Sequence, residues 1–186
     1  MNRSSNFKNI VLIGMSGSGK SAVGKYIAEK LNLEFIDTDE MIVDKTGQSI
    51  NNIFKLYGEK YFRALEQDII EKTIKKEGAV ISTGGGVVLN KRNIEILKKK
   101  GMIFLLQASI DSIVANIESS PANKEERPLL KDAINLRKRI EEIYKKRRHL
   151  YISNSDIVVN VDHKTMEAIG DEIIYIFKQH TSCSKN

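Results

Sequence analysis

The run Asn9-Ile10-Val11-Leu12-Ile13-Gly14-Met15-Ser16-Gly17-Ser18-Gly19-Lys20-Ser21 sets the reading of everything around it. Residues 9–13 are mostly aliphatic and β-branched and stop at a glycine, the pattern of a buried strand. Residues 14–21 match G-x-x-x-x-G-K-[ST] at every required position. Residues 20–31 place Val23, Ile27, Ala28 and Leu31 at helical spacing, with Asn32 where a C-cap belongs. Strand, loop and helix in succession make this a phosphate-binding loop (P-loop) rather than a glycine-rich turn that merely starts a helix.

The chemistry of the loop follows from its residue types. Gly14, Ser16, Gly17, Ser18 and Gly19 can turn successive backbone N–H groups into one concavity, and the helix behind them adds its positive N-terminal end. Lys20 supplies a flexible point charge for the β- and γ-phosphates of a nucleotide, and the Ser21 hydroxyl suits Mg²⁺, which prefers oxygen donors and keeps waters. Nucleotide binding is implied; whether the chain is a kinase, a switch or a motor is decided elsewhere.

Outward from the loop, short apolar runs alternate with segments of helical period. Strands are expected at 9–13, 34–37, 79–83, 102–107 and 156–161, and helices at 20–31, 50–76 with a break near Gly58, 90–99, 110–118, 132–151 and 165–179. This alternation predicts an α/β fold, a five-stranded parallel sheet flanked by helices. Residues 119–131 break the rhythm, holding both prolines, Pro121 and Pro128, around Lys124, Glu125, Glu126 and Arg127; they read as a surface flap or as an ordinary crossover loop. No repeat or linker divides the 186 residues, so 1–186 is expected to form a single domain with a polar tail at 180–186.

Composition narrows the class. With 41% hydrophobic residues the chain can bury a core without staples. Cys183 is the only cysteine, which excludes an intrachain disulfide and a cysteine metal cluster. His149, His163 and His180 do not fall at ligand spacing. No apolar run reaches the length of a bilayer span and residues 1–9 lack the apolar segment of a signal peptide, so a cytoplasmic protein with no membrane partner is expected. The net charge of +6 is dispersed, its densest run, Lys145 to Arg148, lies in a helical pattern, and no nucleic-acid-binding signature accompanies it. Anionic small molecules account for the charge without a nucleic-acid partner.

Further candidates lie at the expected carboxyl edge of the sheet, where ligands collect in open parallel sheets. Asp37-Thr38-Asp39 follows the second strand. If the strand continues, both carboxylates point the same way, one toward Mg²⁺ and the other toward a substrate hydroxyl; alternatively Asp39 caps a helix over 40–45. Ser82-Thr83-Gly84-Gly85-Gly86 follows the third strand and offers either bare backbone to a ligand or a tight turn.

Taken together the residues resemble the shikimate kinase family. The resemblance covers about 9–162 and is carried by the P-loop, Asp37-Thr38-Asp39, Gly47-Gln48-Ser49-Ile50, Ile53-Phe54, Gly58-Glu59, Phe62-Arg63, Glu66, Thr83 to Gly86 and Arg127-Pro128-Leu129-Leu130, in order. It implies the nucleoside-monophosphate-kinase-like version of the P-loop fold. A substrate-binding helical region would lie at about 39–66 and a lid at about 119–131. The implied activity is transfer of the ATP γ-phosphoryl group to a shikimate hydroxyl by a monomeric enzyme. It further implies that Lys20, Asp39 and Arg127 are catalytic. Arg127 would meet the ATP phosphates from the lid, and Ser21 and Asp37 would place Mg²⁺. Asp39, Arg63, Gly84, Gly85, Gly86 and Arg147 would bind shikimate, the two arginines on its carboxylate and Glu66 behind Arg63.

The chain departs from the family pattern in two places. Where relatives often read Arg-x-Pro-x-Tyr it has Arg147-Arg148-His149-Leu150-Tyr151, and no arginine lies between Ala108 and Glu126, where relatives often place one against adenine. The alternatives are another small-metabolite kinase of this fold, such as a gluconate-like kinase, or a non-catalytic nucleotide-binding regulator.

Overall fold

In the strand Asn9–Ile13 (β1) every residue is buried, as a strand covered on both faces requires. The side chains of Val11 and Ile13 go to one face of the sheet and those of Ile10 and Leu12 to the other, each joining a different hydrophobic cluster. The computed structural model that shows this describes residues 7–119 and 135–182. Elements follow in the order β1, α1 (Lys20–Leu31), β2 (Glu34–Asp37), α2 (Thr38–Thr46), α3 (Ile50–Thr73), β3 (Ala79–Ser82), a 3-10 turn (Val87–Leu89), α4 (Lys91–Leu97), β4 (Gly101–Gln107), α5 (Ile110–Glu118), α6 (Leu136–Asn154), β5 (Ile157–Asn160) and α7 (Met166–Ser182).

All four strand pairings are parallel, in the order β2-β3-β1-β4-β5. The chain leaves β1, skips a place to β2, returns to β3 beside β1, and crosses to β4 on the other flank. Strand order therefore reverses at β1, which opens a crevice at the carboxyl ends of β1 and β3. The P-loop leaves β1 and the glycine turn leaves β3, so topology alone sets them side by side.

One face of the sheet is covered by α1 and α7, with Val23, Ile27, Ile169 and Ile173 in its core; α3, α4, α5 and α6 cover the other. Ile42, Ile53, Phe62, Leu65 and Ile69 make a third, smaller cluster between α2 and α3, and the rings of Phe54 and Phe62 meet at 4.7 Å. The expected helical region at 39–66 thus has a core of its own. Gly58 breaks α3 as expected, at φ 78° and ψ 173°, a backbone conformation open to glycine alone.

Several expectations change in detail. The third strand ends at Ser82, and the fourth begins at Gly101. A 3-10 turn follows the glycines, where the sequence showed no signal. Helix α6 runs on to Asn154, and α7 runs to Ser182, so the expected tail at 180–186 begins as helix. The strand before Asp37-Thr38-Asp39 does not continue: α2 starts at Thr38, and its cap is Asp37, whose Oδ1 accepts from the backbone N–H of Asp39 at 3.0 Å and of Glu40 at 3.4 Å. Asp39 is therefore not a cap; it sits in the first turn. Among the described residues no helix is long and apolar enough to cross a membrane. Except for Ser119, the expected lid at 119–131, with Arg127, lies outside the described residues.

Candidate active site

A cleft of about 870 Å³ opens at the crevice, lined by Ser16, Gly17, Gly19, Lys20, Ser21, Asp37, Asp39, Ser82, Thr83, Gly85 and Asn116 among others. On its phosphate side Gly14, Gly17 and Gly19 all have positive φ, which curls the loop as the motif predicts. Lys20 is buried, with Nζ donating to the carbonyls of Gly14 at 3.1 Å and Met15 at 2.8 Å, so its charge is held inside the curl. Ser21 Oγ donates to Asp37 Oδ2 at 2.7 Å and lies 3.4 Å from Ser82 Oγ. These hard oxygen donors at the mouth of the loop suit Mg²⁺, an ion that takes one or two protein ligands and completes its shell with phosphate oxygens and water.

The other wall is organised by the glycine turn, and each glycine meets a different charged residue. A methyl group on Gly84 would stand 2.7 Å from Asp39 Oδ1, and one on Gly86 would collide with the guanidinium of Arg63. Only bare backbone admits those two side chains so closely. The carbonyl of Gly85 accepts from Nη1 of Arg147 at 3.2 Å and from the hydroxyl of Tyr151. The turn is anchored by Gly84 N–H donating to Thr38 Oγ1 at 3.1 Å and Thr83 Oγ1 donating to the Leu12 carbonyl at 2.9 Å.

Charge on this wall is buried and coupled. Glu66 is fully buried and takes two 3.0 Å bonds from Arg63 Nη1, one to each oxygen, while Asn93 Nδ2 donates to Oε2 at 3.3 Å. Burial pushes the Glu66 carboxyl up and Arg63 opposes that push. Arg63 also bonds Glu59 through Nε at 3.2 Å and Nη2 at 3.0 Å, and these bonds leave the second N–H of Nη2 for a further acceptor. Asp39 Oδ1 is buried without a hydrogen-bond partner among the described residues. Its pKa is pushed up to about 7, first by burial, then by the charges of Asp37 and Glu66, with Lys20 and Arg63 pulling the other way. A buried carboxylate left unpaired at a cleft wall is costly unless something else pairs with it.

The fold thus brings Gly14, Ser16 to Ser21, Asp37, Asp39, Arg63, Gly84 to Gly86 and Arg147 to one crevice. It also separates Arg147 from its neighbour, since Arg147 faces the glycine turn and Arg148 is exposed.

A shikimate kinase family model matches residues 16–178. This chain belongs to the shikimate kinase family. Shikimate kinases of a Sulfurihydrogenibium species and of Caldicellulosiruptor bescii are 41% and 43% identical to it over 172 and 169 residues, covering 92% and 91% of this chain and 99% and 95% of theirs. A shikimate kinase from Acinetobacter baumannii in complex with shikimate superposes with a TM-score of 0.87 at 27% identity, over 98% of this chain and 97% of that one. The shikimate kinase from Aquifex aeolicus superposes with a TM-score of 0.76 at 34% identity, over 95% and 99%. As a member of the shikimate kinase family, the chain is an ATP-dependent kinase with the expected nucleoside-monophosphate-kinase-like sheet.

Five polar contributors to this shikimate kinase site escaped the sequence reading as candidates: Thr38, Ser82, Asn93, Asn116 and Tyr151. Thr38, Ser82 and Tyr151 lay inside quoted motifs and could have been singled out there. Asn93 and Asn116 carry no local signal, because their bonds to Glu66 and to the Gly17 carbonyl, the latter at 2.9 Å, span 27 and 99 residues of chain.

Proposed function

We propose that the protein phosphorylates the 3-hydroxyl of shikimate with Mg-ATP, giving shikimate 3-phosphate and ADP in the cytoplasmic route to chorismate and the aromatic amino acids. The observation that carries this reading is the buried, unpaired Oδ1 of the half-buried Asp39 on a wall shared with Arg63, Arg147 and the bare glycine turn. A small ring bearing hydroxyls and one carboxylate matches that wall: hydroxyls to Asp39 and to the backbone of Gly84, Gly85 and Gly86, carboxylate to the guanidinium forks of Arg63 and Arg147.

In the transfer, the acceptor hydroxyl oxygen bonds to the γ-phosphorus as the bond to the β,γ-bridging oxygen breaks and ADP leaves. Asp39 holds that hydroxyl in line and receives its proton; little base strength is required in a loose transition state, so positioning is the larger part of its role. Lys20 leaves the Gly14 and Met15 carbonyls for the β- and γ-phosphates, to which Gly14, Ser16, Gly17, Ser18, Gly19 and Ser21 present the loop. Ser21 and Asp37 would hold Mg²⁺, which when bound supplies charge neutralisation at the phosphate oxygens. Arg127, from the lid proposed at about 119–131, adds a second positive charge at the transferring group, a contribution worth about 10³–10⁵ in rate in related chemistry. We take the whole chain as a single domain, the 39–66 region as the acceptor-binding part and the working enzyme as a monomer.

The test is a coupled ADP-release assay with ATP, Mg²⁺ and shikimate, quinate, gluconate or nucleoside monophosphates as acceptors. Shikimate-dependent turnover is expected. ADP release that ignores shikimate and follows another acceptor overturns the assignment, and an Arg127→Ala variant with undiminished turnover removes the lid residue from it.

A further inference from the structure

The Gly85 carbonyl accepts from two donors on one face of α6, Arg147 and Tyr151, which are four residues apart and so stacked on successive turns. The two donors differ in what they can do. Arg147 is half-buried and bonds the carbonyl through Nη1, and the proposed function gives its guanidinium the acceptor carboxylate, toward which it can turn. Tyr151 is 1% exposed and packed into the core cluster that holds Met15, Leu105 and Ile113, so its ring cannot follow. A phenol has one proton to donate. The other acceptor near the hydroxyl is Met15 Sδ at 3.6 Å, a weak one, which leaves the proton with Gly85. Burial pushes the phenol up to about 12 against the pull of the Arg147 charge and of its hydrogen bond to the hydroxyl, so the phenol remains a donor at neutral pH.

Gly85 also stands at the seam of the site. A methyl group there would lie 3.0 Å from the backbone nitrogen of Ser16, so the phosphate loop leaves this residue little room on that side. Its carbonyl loses one donor each time Arg147 turns to an acceptor.

We propose that Tyr151 is a positioning residue whose hydroxyl keeps the Gly85 carbonyl bonded when Arg147 moves to the acceptor carboxylate, so that the arginine is released without disturbing the glycine turn. The inference rests on the assignment of Arg147 to that carboxylate. Without the hydroxyl, Arg147 is the remaining protein donor to this carbonyl among the described residues, and acceptor binding has to break that bond.

Tyr151→Phe removes the hydroxyl and leaves the ring. The shikimate KM, and its Kd by calorimetry without nucleotide, are expected to rise about tenfold, the equivalent of one hydrogen bond. The KM for ATP and kcat are expected to stay within about threefold of the unsubstituted enzyme, a change smaller than one bond. In an Arg147→Ala background no guanidinium needs release, so adding Tyr151→Phe should raise the shikimate KM by less than about threefold. A shikimate KM that does not change, a parallel rise in both KM values, or an additive double-mutant cycle assigns Tyr151 to scaffolding and overturns the proposal.

The unsubstituted protein offers a second measurement. The Tyr151 hydroxyl proton should be a slowly exchanging NMR signal that persists when shikimate is added, and its loss on shikimate addition also overturns the proposal. Lack of shikimate-dependent turnover in the unsubstituted enzyme defeats the function assignment and this inference with it. Normal turnover with an indifferent Tyr151→Phe defeats the inference alone.

Discussion

The two walls of the cleft solve different physical problems. The phosphate wall is eight consecutive residues, shaped by backbone conformation and carrying one buried cation whose ammonium rests on the loop's own carbonyls. The acceptor wall is gathered from α2, α3, the turn after β3, and α6, and it couples a buried charge, Glu66, to the half-buried charges of Asp39, Arg63 and Arg147. A local loop is self-supporting, so single side chains around it matter little. A wall of coupled charges depends on every partner, because removing one leaves another buried and unpaired. Substitutions on the two walls should therefore differ in size.

The largest effect is expected at the reacting hydroxyl. Asp39→Asn should lower kcat by about 10²- to 10⁴-fold, the range of a positioned proton acceptor, while ATP binding stays measurable by calorimetry. Near-normal turnover would mean that the unpaired oxygen serves the fold and not the acceptor.

The same residue should reveal what the acceptor wall costs the free protein. Its folded pKa of about 7 lies above the ordinary 3.8. Between those values the folded state keeps the proton that the unfolded chain gives up, so stability falls as pH rises through the window and levels off above about 7. Roughly three units correspond to at most about 4 kcal/mol. The melting temperature of the unliganded enzyme should thus fall relative to that of Asp39→Asn as pH is raised from about 4 to about 7. Parallel curves for the two proteins would show that Asp39 ionises without penalty.

Next in size, Glu66→Gln should destabilise the fold by about 3 kcal/mol in urea titration, because among the described residues Arg63 then keeps only the exposed Glu59 as an ion-pair partner. The shikimate KM should rise with it. A loss below about 0.5 kcal/mol would put this pair among ordinary surface bridges and remove the contrast between the walls. The smallest effect belongs to the phosphate wall: Asn116→Ala removes an exposed donor to the Gly17 carbonyl and should raise the ATP KM no more than about threefold. A change of tenfold or greater would show that the loop is not self-supporting.

Legibility in the sequence divides along the same line. The P-loop could be read because its ligand groups are contiguous and its glycines state the backbone conformation directly. Asp37 and Asp39 were found as a pair and the family resemblance gave them different tasks, but the local backbone was not legible, since a strand continuing to residue 39 and a helix starting at residue 38 are equally compatible with Asp-Thr-Asp. Whether Arg147 or Arg148 faces the site turned on which side of one helix meets Gly85. Asn93 and Asn116 were silent because neither has a partner nearby in the chain.

By itself the sequence determined the alternation of strands and helices, the phosphate loop and, through its ordered motifs, the family. Those features depend on local conformation and on periodicity that each segment carries alone. Tertiary structure decided which buried charge meets which, that Asp37 is tied to Ser21 and the α2 cap while Asp39 is left unpaired, and that one glycine turn joins Asp39, Arg63, Arg147 and Tyr151. The physical reason is distance along the chain: desolvation and charge coupling act through space, between residues that the parallel sheet order brings together from distant segments, 66 residues apart for Tyr151 and Gly85 and 99 for Asn116 and Gly17.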